Sequence, residues 1–285
     1  MSSPPPRLTA VVLNLDGREL LERMLPTLVT QGPDARLVVL DDGSTDGSPE
    51  WVEATYPQIE VVRNPQNLGV ARSFNRAVEL ARDSEYLALL NNDLELEPGY
   101  LTTLADVLDR HPEAGSVAGK MRSVRDPARL DGAGDAFQWS SAATRRGYGE
   151  VDTGQYDEPA EVFSACGGAA LYRMAAFADV GLFDGDFFAY LEDIDWGFRA
   201  QLRGWTARYE PSAVVHHVGG ATTNRNAAFF GMLQRRNQLL LVIKDYPAAR
   251  SPCTRRRSSC TTSAGWWPAS ATACCPRTCA PWARS

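Results

Sequence analysis

Cysteine is nearly absent from most of this 285-residue chain: Cys166 stands alone in the first 250 residues, while Cys253, Cys260, Cys274, Cys275 and Cys279 crowd the last 35. A body so poor in thiols has no disulfide framework and suits a reducing compartment. Lysine is scarcer, with only Lys120 and Lys244, so almost all of the 29 basic residues are arginine. Acids number 35, and the resulting net charge of −6 leaves no footprint for nucleic acid. No run of 18 apolar residues exists, so no membrane span is visible. The opening "MSSPPPRLTAVVLNL" has no charged region ahead of an apolar stretch and does not read as a secretory signal. The expected location is therefore the cytoplasm. What is present, 44% hydrophobic and 22% charged residues, suffices for one large core or two small ones.

The last 35 residues need a separate account. They contain no Asp, Glu, Lys, Leu, Ile, Val or Phe, but five Cys, five Arg, three Trp and eleven Ser or Thr. Such a segment has almost nothing aliphatic to bury, which predicts disorder. Its cysteines form no CxxC pair, so a metal or redox tail is the weakest reading. The arginine bias of the body is that of a GC-rich gene, and a shifted frame of such a gene yields Arg, Ala, Pro, Ser, Cys and Trp. A frameshift is the favoured reading, and residues 251–285 are assigned no role. Without the tail's five Arg the body carries 24 basic and 35 acidic residues, a net charge of −11.

Between these limits the chain alternates. Buried strands are expected at 8–15, in 35–48 where the strand runs into a polar turn, at 59–64 and at 85–93. Helices are expected at 17–32, from Ser48 as N-cap with Pro49 at the first helical position, at 69–83 and at 99–112. Strand and helix alternating at short spacing imply βαβ units and a parallel sheet. From 113 the pattern weakens, and 132–159, rich in Gly, Ser and Asp, reads as irregular loops or short hairpins over a crevice. Strand and helix resume at 160–181, 183–204 reads as a loop and then a helix with acids in its first turn, two short strands lie in 206–220, and an amphipathic helix spans 227–247.

Ligands of open parallel sheets bind beyond the carboxyl ends of the strands. Three such ends carry polar clusters: Asn14 and Asp16, Asp41 and Asp42, and Asn91 with Asp93 in "LALLNNDLEL". Residues i and i+2 of a strand share a side, so Asn91 and Asp93 could hold one hard cation together. An acid at a strand end, as in "DDGSTDGS", can bond a base or ribose. Gly69 opens a helix whose amides could face phosphate, and Arg72 and Asn75 share a face of it. "FFAYLEDIDWGFR" sets Glu192, Asp193 and Asp195 beside aromatics, a setting that suits a general base. "VVHHVGG" ends a strand with His216 and His217, either of which could bind metal, whereas His111 before Pro112 reads as structural. Each motif alone also fits a plain turn, cap or helix start; their order and spacing are more specific.

Together, "VVLNLDG", "VVLDDGSTDGS", "NLGVARSFNRAV", "LALLNNDLELEPGYL", "GGAALYRMAAFADVGLFDGDFFAYLEDIDWGFRAQLRGW" and "YEPSAVVHHVGG" resemble the family 2 glycosyltransferases, from about Leu8 to Pro247. These are inverting enzymes of the GT-A fold, and the rhamnosyltransferase-like branch of bacterial cell-surface glycan enzymes is the nearest in pattern. The resemblance implies an α/β, Rossmann-like, mostly parallel sheet flanked by helices. Residues 1–112 would form the nucleotide-sugar-binding half, and 113–250 the acceptor-binding and catalytic half of the same domain. It implies transfer from a nucleoside-diphosphate sugar to a glycan or lipid-linked acceptor, with Mg²⁺ or Mn²⁺ and no nucleic acid partner. A peripheral seat at the inner face of the cell membrane is left open.

By position, Asn14 and Asp16 would flank the nucleotide, Asp41 would contact the base with Asp42 nearby, and Asn67, Gly69 and Arg72 would line the diphosphate side. Asn91 and Asp93 match the family's D-x-D motif with Asn in first place, so Asp93 would be the main metal ligand, joined by His217. Asp193 matches the catalytic base, with Glu192, Trp139 and Gly168 on the acceptor side. Two rivals remain. A nucleotidyltransferase would show a Gly-rich basic loop where this chain has "LNLDGREL". A non-catalytic sugar-nucleotide-binding protein would differ by failing to turn over donor.

Overall fold

The computed structural model describes residues 5–31, 35–138, 142–219 and 227–245. Trp139 and the 251–285 tail lie outside the described residues. The first half alternates as expected, with ends moved by a few residues: β1 (Leu8–Asn14), α1 (Arg18–Leu28), β2 (Ala35–Asp41), α2 (Ser48–Thr55), β3 (Glu60–Arg63), α3 (Val70–Leu80), β4 (Tyr86–Asn91), short β5 (Leu94–Leu96) and α4 (Tyr100–Arg110). β1 and β4 are buried along almost their whole length, as parallel strands covered on both faces must be. The start of α2 differs in detail. Gly47, at φ 75°, is the N-cap, and Ser48 is already helical. The Asp46 carboxylate accepts the Ser48 amide, so one of the free first-turn donors is satisfied from the residue ahead of the cap.

The second half contributes β6 (Ala114–Ser123), β7 (Leu130–Gly132), β8 (Asp135–Gln138), β9 (Ala142–Arg145), β10 (Ala160–Val162), β11 (Ala169–Arg173), α5 (Met174–Val180), a 3₁₀ turn (Gly185–Phe187), α6 (Glu192–Leu202), β12 (Thr206–His217) and α7 (Ala227–Asp245). The main sheet runs β10-β12-β6-β11-β4-β1-β2-β3, so both halves share it. β3, β2, β1 and β4 are mutually parallel, β11 is antiparallel to β4 and β6, and β12 is parallel to β6. Strand order steps outward from β1 through β2 to β3, while β4 lies on the other side of β1. This reversal is a topological switch point, where the strand ends part to leave a crevice.

Alternate residues of β1 feed opposite faces. Ala10 and Val12 join the core under α1 and α4, and Val11 joins Phe74, Phe177 and Trp196 on the other face. Two features depart from the sequence reading. β6 is a ten-residue buried strand where the pattern weakens. It has few β-branched residues, and tertiary packing selects it instead. A Cβ on Gly119 would lie 2.2 Å from the Ala213 carbonyl oxygen and 2.6 Å from the Tyr100 ring, so only glycine lets β12 and α4 close on it. β12 is one long strand, not two short ones; a register shift between Glu210 and Val214, around Pro211, supplies the apparent break. The short hairpin expected within 132–159 is β8–β9. Among the described residues no helix is long and apolar enough to cross a membrane.

Candidate active site

A cavity of about 570 Å³ opens beyond the carboxyl ends of β1 and β4. Asp42, Asn67, Gly69, Asn91, Asp93, Gly168, Glu192, Asp193 and His217 all line it. A second hollow, of about 400 Å³, is bordered by Arg36, Arg76, Glu79 and Arg82 and contains none of the candidate residues.

The nucleotide-side residues split into those that face the cavity and those that build its wall. Asn14 is fully buried. Its amide nitrogen donates to Asp41 Oδ1 (3.0 Å) and Ser48 Oγ (2.8 Å), and its Oδ1 accepts from Asn92 (2.8 Å). The ends of β1, β2 and β4 are thereby tied into one unit. Asp41 is equally enclosed: Oδ2 accepts the amides of Gly43 (3.2 Å) and Ser44 (2.9 Å). Asp16, at φ 46°, accepts the Thr45 amide at 2.7 Å. Asn14, Asp16 and Asp41 are absent from the cavity lining, and so is Arg72, whose exposed side chain lies against Gly185. Asp42 does line it, and organises the next loop by accepting from Asn64 (2.7 Å), the Leu68 amide (3.0 Å) and Ser73 Oγ (2.8 Å). Gly69, at φ 81°, opens α3 beneath the Phe188 ring.

On the β4 side, Asn91 lies over Gly168, where a Cβ would come within 2.3 Å of its amide nitrogen. Asp93 Oδ2 stands 3.2 Å from His217 Nε2, and His217 Nδ1 is 2.7 Å from Asp131 Oδ2. Arg145 pairs with Asp131 in turn. The neighbouring His216 points the other way along β12, with Nε2 2.9 Å from Glu97. The structure thus brings His217, and not His216, to Asp93. Burial opposes charge on His217, but hydrogen bonds to Asp131 and Asp93 outweigh it and push its pKa up to about 9. Burial would also raise Asp131; its bond to His217 and the charge of Arg145 hold it below the usual carboxylate range.

On the α6 side, Asp193 Oδ2 accepts the Gly167 amide at 2.9 Å and Oδ1 the Ile194 amide at 2.9 Å. Burial raises its pKa and these backbone donors moderate the rise. Glu192 is 5% exposed, and among the described residues its Oε2 has no hydrogen-bond partner. Burial, then the charge of Asp193, push its pKa well up. Asp195 is fully buried in an ion pair with Arg199 (2.8 Å), the i, i+4 partner expected of a structural acid.

Three further cavity residues carried no sequence signal. Cys166 has its thiol pushed up to about 12 by burial, which keeps it protonated and unfit as a nucleophile. Asp135 and Arg145 sit on the β8–β9 hairpin, whose Gly- and Ser-rich surroundings show no periodicity. Burial, then the charge of Asp193, push Asp135 up to about 8. A carboxyl whose folded pKa is raised costs stability as pH climbs from its unfolded value through its folded one. Asp135→Asn, which keeps an acceptor for Ser164, should therefore melt higher than wild type at pH 8, with the gain shrinking toward pH 4. Thermal melts across that range check it; an equal loss at both ends would contradict a strained buried acid.

Residues 9–181 match the profile of Glycosyl transferase family 2. The chain belongs to this family. The N-acetylglucosaminyl-diphospho-decaprenol L-rhamnosyltransferase of Mycobacterium tuberculosis is 31% identical over 222 residues, 69% of this chain and 71% of that protein. GalNAc-T7, solved with UDP, GalNAc and Mn²⁺, superposes with a TM-score of 0.64 at 16% identity, covering 82% of this chain and 47% of its own. This chain therefore spans about half the length of that structure. The mannosyltransferase PcManGT of Pyrobaculum calidifontis, solved with GDP-Man and Mn²⁺, gives a TM-score of 0.62 at 18% identity, covering 89% of this chain and 69% of its own. The fold of this family 2 chain is GT-A.

A divalent cation fits the residues in place. Asp93 offers a carboxylate and His217 an imidazole, a donor set open to Mn²⁺ or Mg²⁺. Asp131 grips the far nitrogen of His217, the outer-shell support that orients a metal-binding imidazole in such sites. Among the described residues no cluster of three or more His, Cys, Asp or Glu forms a complete protein cage. Water and a substrate diphosphate would supply the remaining ligands, as a substrate-bridged cation requires.

Proposed function

We propose that this family 2 glycosyltransferase moves a sugar from a nucleoside diphosphate to a hydroxyl of a glycan or lipid-linked acceptor in one inverting displacement. The observation that carries the reading is that one cavity is lined both by the Asp93–His217 pair and by Asp193, a half-buried carboxylate held by two backbone amides. The acceptor O–H gives its proton to Asp193 as its oxygen bonds the anomeric carbon, and the bond from that carbon to the diphosphate oxygen breaks. A general base of this kind contributes roughly 10²–10⁴-fold. Held by Asp93 and His217 beside Asn91, a Mg²⁺ or Mn²⁺ ion would neutralise charge on the departing diphosphate.

The other residues take supporting roles. Asp42 shapes the loop through Asn67 to Gly69 that starts α3, whose N-terminus favours phosphate. Asn14, Asp16 and Asp41 brace the nucleotide wall from behind. Glu192, its pKa driven well up by burial, is free to bond an acceptor hydroxyl, with Gly168 on the same side.

The similarity to the mycobacterial enzyme favours a deoxyhexosyl donor such as a rhamnosyl nucleotide and a lipid-linked acceptor, in cell-surface polysaccharide synthesis. Thermal-shift screening of nucleotide sugars with and without Mn²⁺ tests this. One donor should stabilise the protein only with the cation and then be turned over. A donor bound but never turned over with any lipid-linked or free glycan would point to a sugar-nucleotide-binding protein instead.

A further inference from the structure

The segment just ahead of Asp193 has a backbone that its sequence does not favour. Four non-glycine residues with positive φ occur among the described residues, and three are Phe188 (63°), Tyr190 (70°) and Leu191 (67°). Bulky residues there are strained and persist only where the surroundings over-determine them. Glu192 and Asp193 follow immediately, at the start of α6.

What holds the segment is on α7. Asn237 is fully buried, on the same helical face as Leu233 and Leu241, where another aliphatic side chain would pack. Instead its amide nitrogen donates to the carbonyls of Phe187 (2.8 Å), Ala189 (2.7 Å) and Tyr190 (2.7 Å). Arg236 donates to Phe187 O (2.9 Å) and to Asn237 Oδ1 from Nε (2.9 Å), which orients the amide. From the donor side, the Ala71 amide at the start of α3 donates to Phe188 O (3.0 Å). Leu191 O accepts the Asp195 amide (3.0 Å). Every carbonyl from Phe187 to Leu191 is thereby satisfied, although the left-handed turns aim them away from any regular ladder. Lys244, the penultimate residue of α7, reaches Asp184 (2.7 Å) and Asp195 (2.6 Å) and seats the helix on the same region.

We propose that Asn237 and Arg236 are positioning residues that lock Phe187–Leu191 in its left-handed path and so aim Asp193 at the acceptor hydroxyl. The proposal rests on Asp193 being the base. The loop is gripped on one side by α3, which the donor reaches, and on the other by α7, whose Phe230, Gln234 and Gln238 line the cavity. Releasing the α7 grip should misplace the base while the donor pocket stays intact.

A double-mutant cycle tests this, with transfer rate and calorimetric donor binding in Mn²⁺ as readouts. Asn237→Ala should lower kcat about 10²-fold, the cost of an ångström-scale misplacement, with donor affinity unchanged. Asn237→Asp, which turns a carboxylate toward three carbonyls, should lose at least as much. In the Asp193→Asn background, Asn237→Ala should cost nothing further, because both changes act through one group. A full additional loss in that background, or an equal loss of donor binding, would overturn the positioning role while leaving the base in place. Wild-type transfer by Asp193→Asn alone would instead remove the base reading, and this proposal with it. Should Asn237→Ala lose its cooperative melt, Arg236→Met, which removes only the guanidinium bonds, takes its place in the cycle with the same expectations.

Discussion

Asp193→Asn should bind donor and cation as wild type does and lose sugar transfer by at least about 10²-fold. The substitution keeps size and an acceptor for the Gly167 amide but removes the site that takes the acceptor's proton. Its neighbours cannot replace it. Asp195 is fully buried and committed to Arg199 and Lys244. Glu192 is 5% exposed, and burial, which Asp193→Asn does not relieve, is the main cause that pushes its pKa well up. Because burial also raises Asp193, the wild-type rate should fall with falling pH at a value above the ordinary carboxylate range, since a base acts only when deprotonated. Near-normal transfer by Asp193→Asn with Glu192→Gln inactive would move the base one residue back.

Asp93→Ala should abolish cation-dependent donor binding and lower transfer by at least about 10²-fold, because a bound cation is worth several kcal/mol of charge stabilisation at the leaving group. The fold should survive. Asp93 lies in the turn between β4 and β5 rather than in a strand, and its removal leaves His217 its bond to Asp131. Calorimetry with and without Mn²⁺ separates the outcomes. Wild-type turnover by the variant would show that Asp93 holds no catalytic cation.

The parts of this site legible in the sequence are those where one residue does one job in a regular element. Val- and Leu-rich strands ending in Asn91 to Asp93 and Asp41 to Asp42 announce both the parallel sheet and its ligand edge, because strands buried on both faces leave no other place for polar side chains. The acids at the start of α6 and the histidines at the end of β12 stood out for the same reason. What escaped depends on long-range partners. Nothing near Asp131 or Arg145 in the sequence signals that they support His217, since their partners lie 86 and 14 residues from Asp131. β6 is specified by the close approach of Ala213 and Tyr100 to Gly119, which no strand propensity registers. Asn14 and Asp41 read as ligand contacts by position, yet their oxygens and amides are consumed in tying the strand ends together. Arg72 shares a helix with the donor-side glycine but points off the cavity toward Gly185.

The central claim is a single displacement with Asp193 as base, and the anomeric configuration of the product tests it most directly. With the donor found by cation-dependent stabilisation and a glycan acceptor, proton NMR of the new linkage reads that configuration. Wild type should form the anomer opposite to that of the donor, and Asp193→Asn should lose it. A product that retains the donor's configuration would contradict a single displacement, because retention requires a second nucleophile or a different geometry at the anomeric carbon.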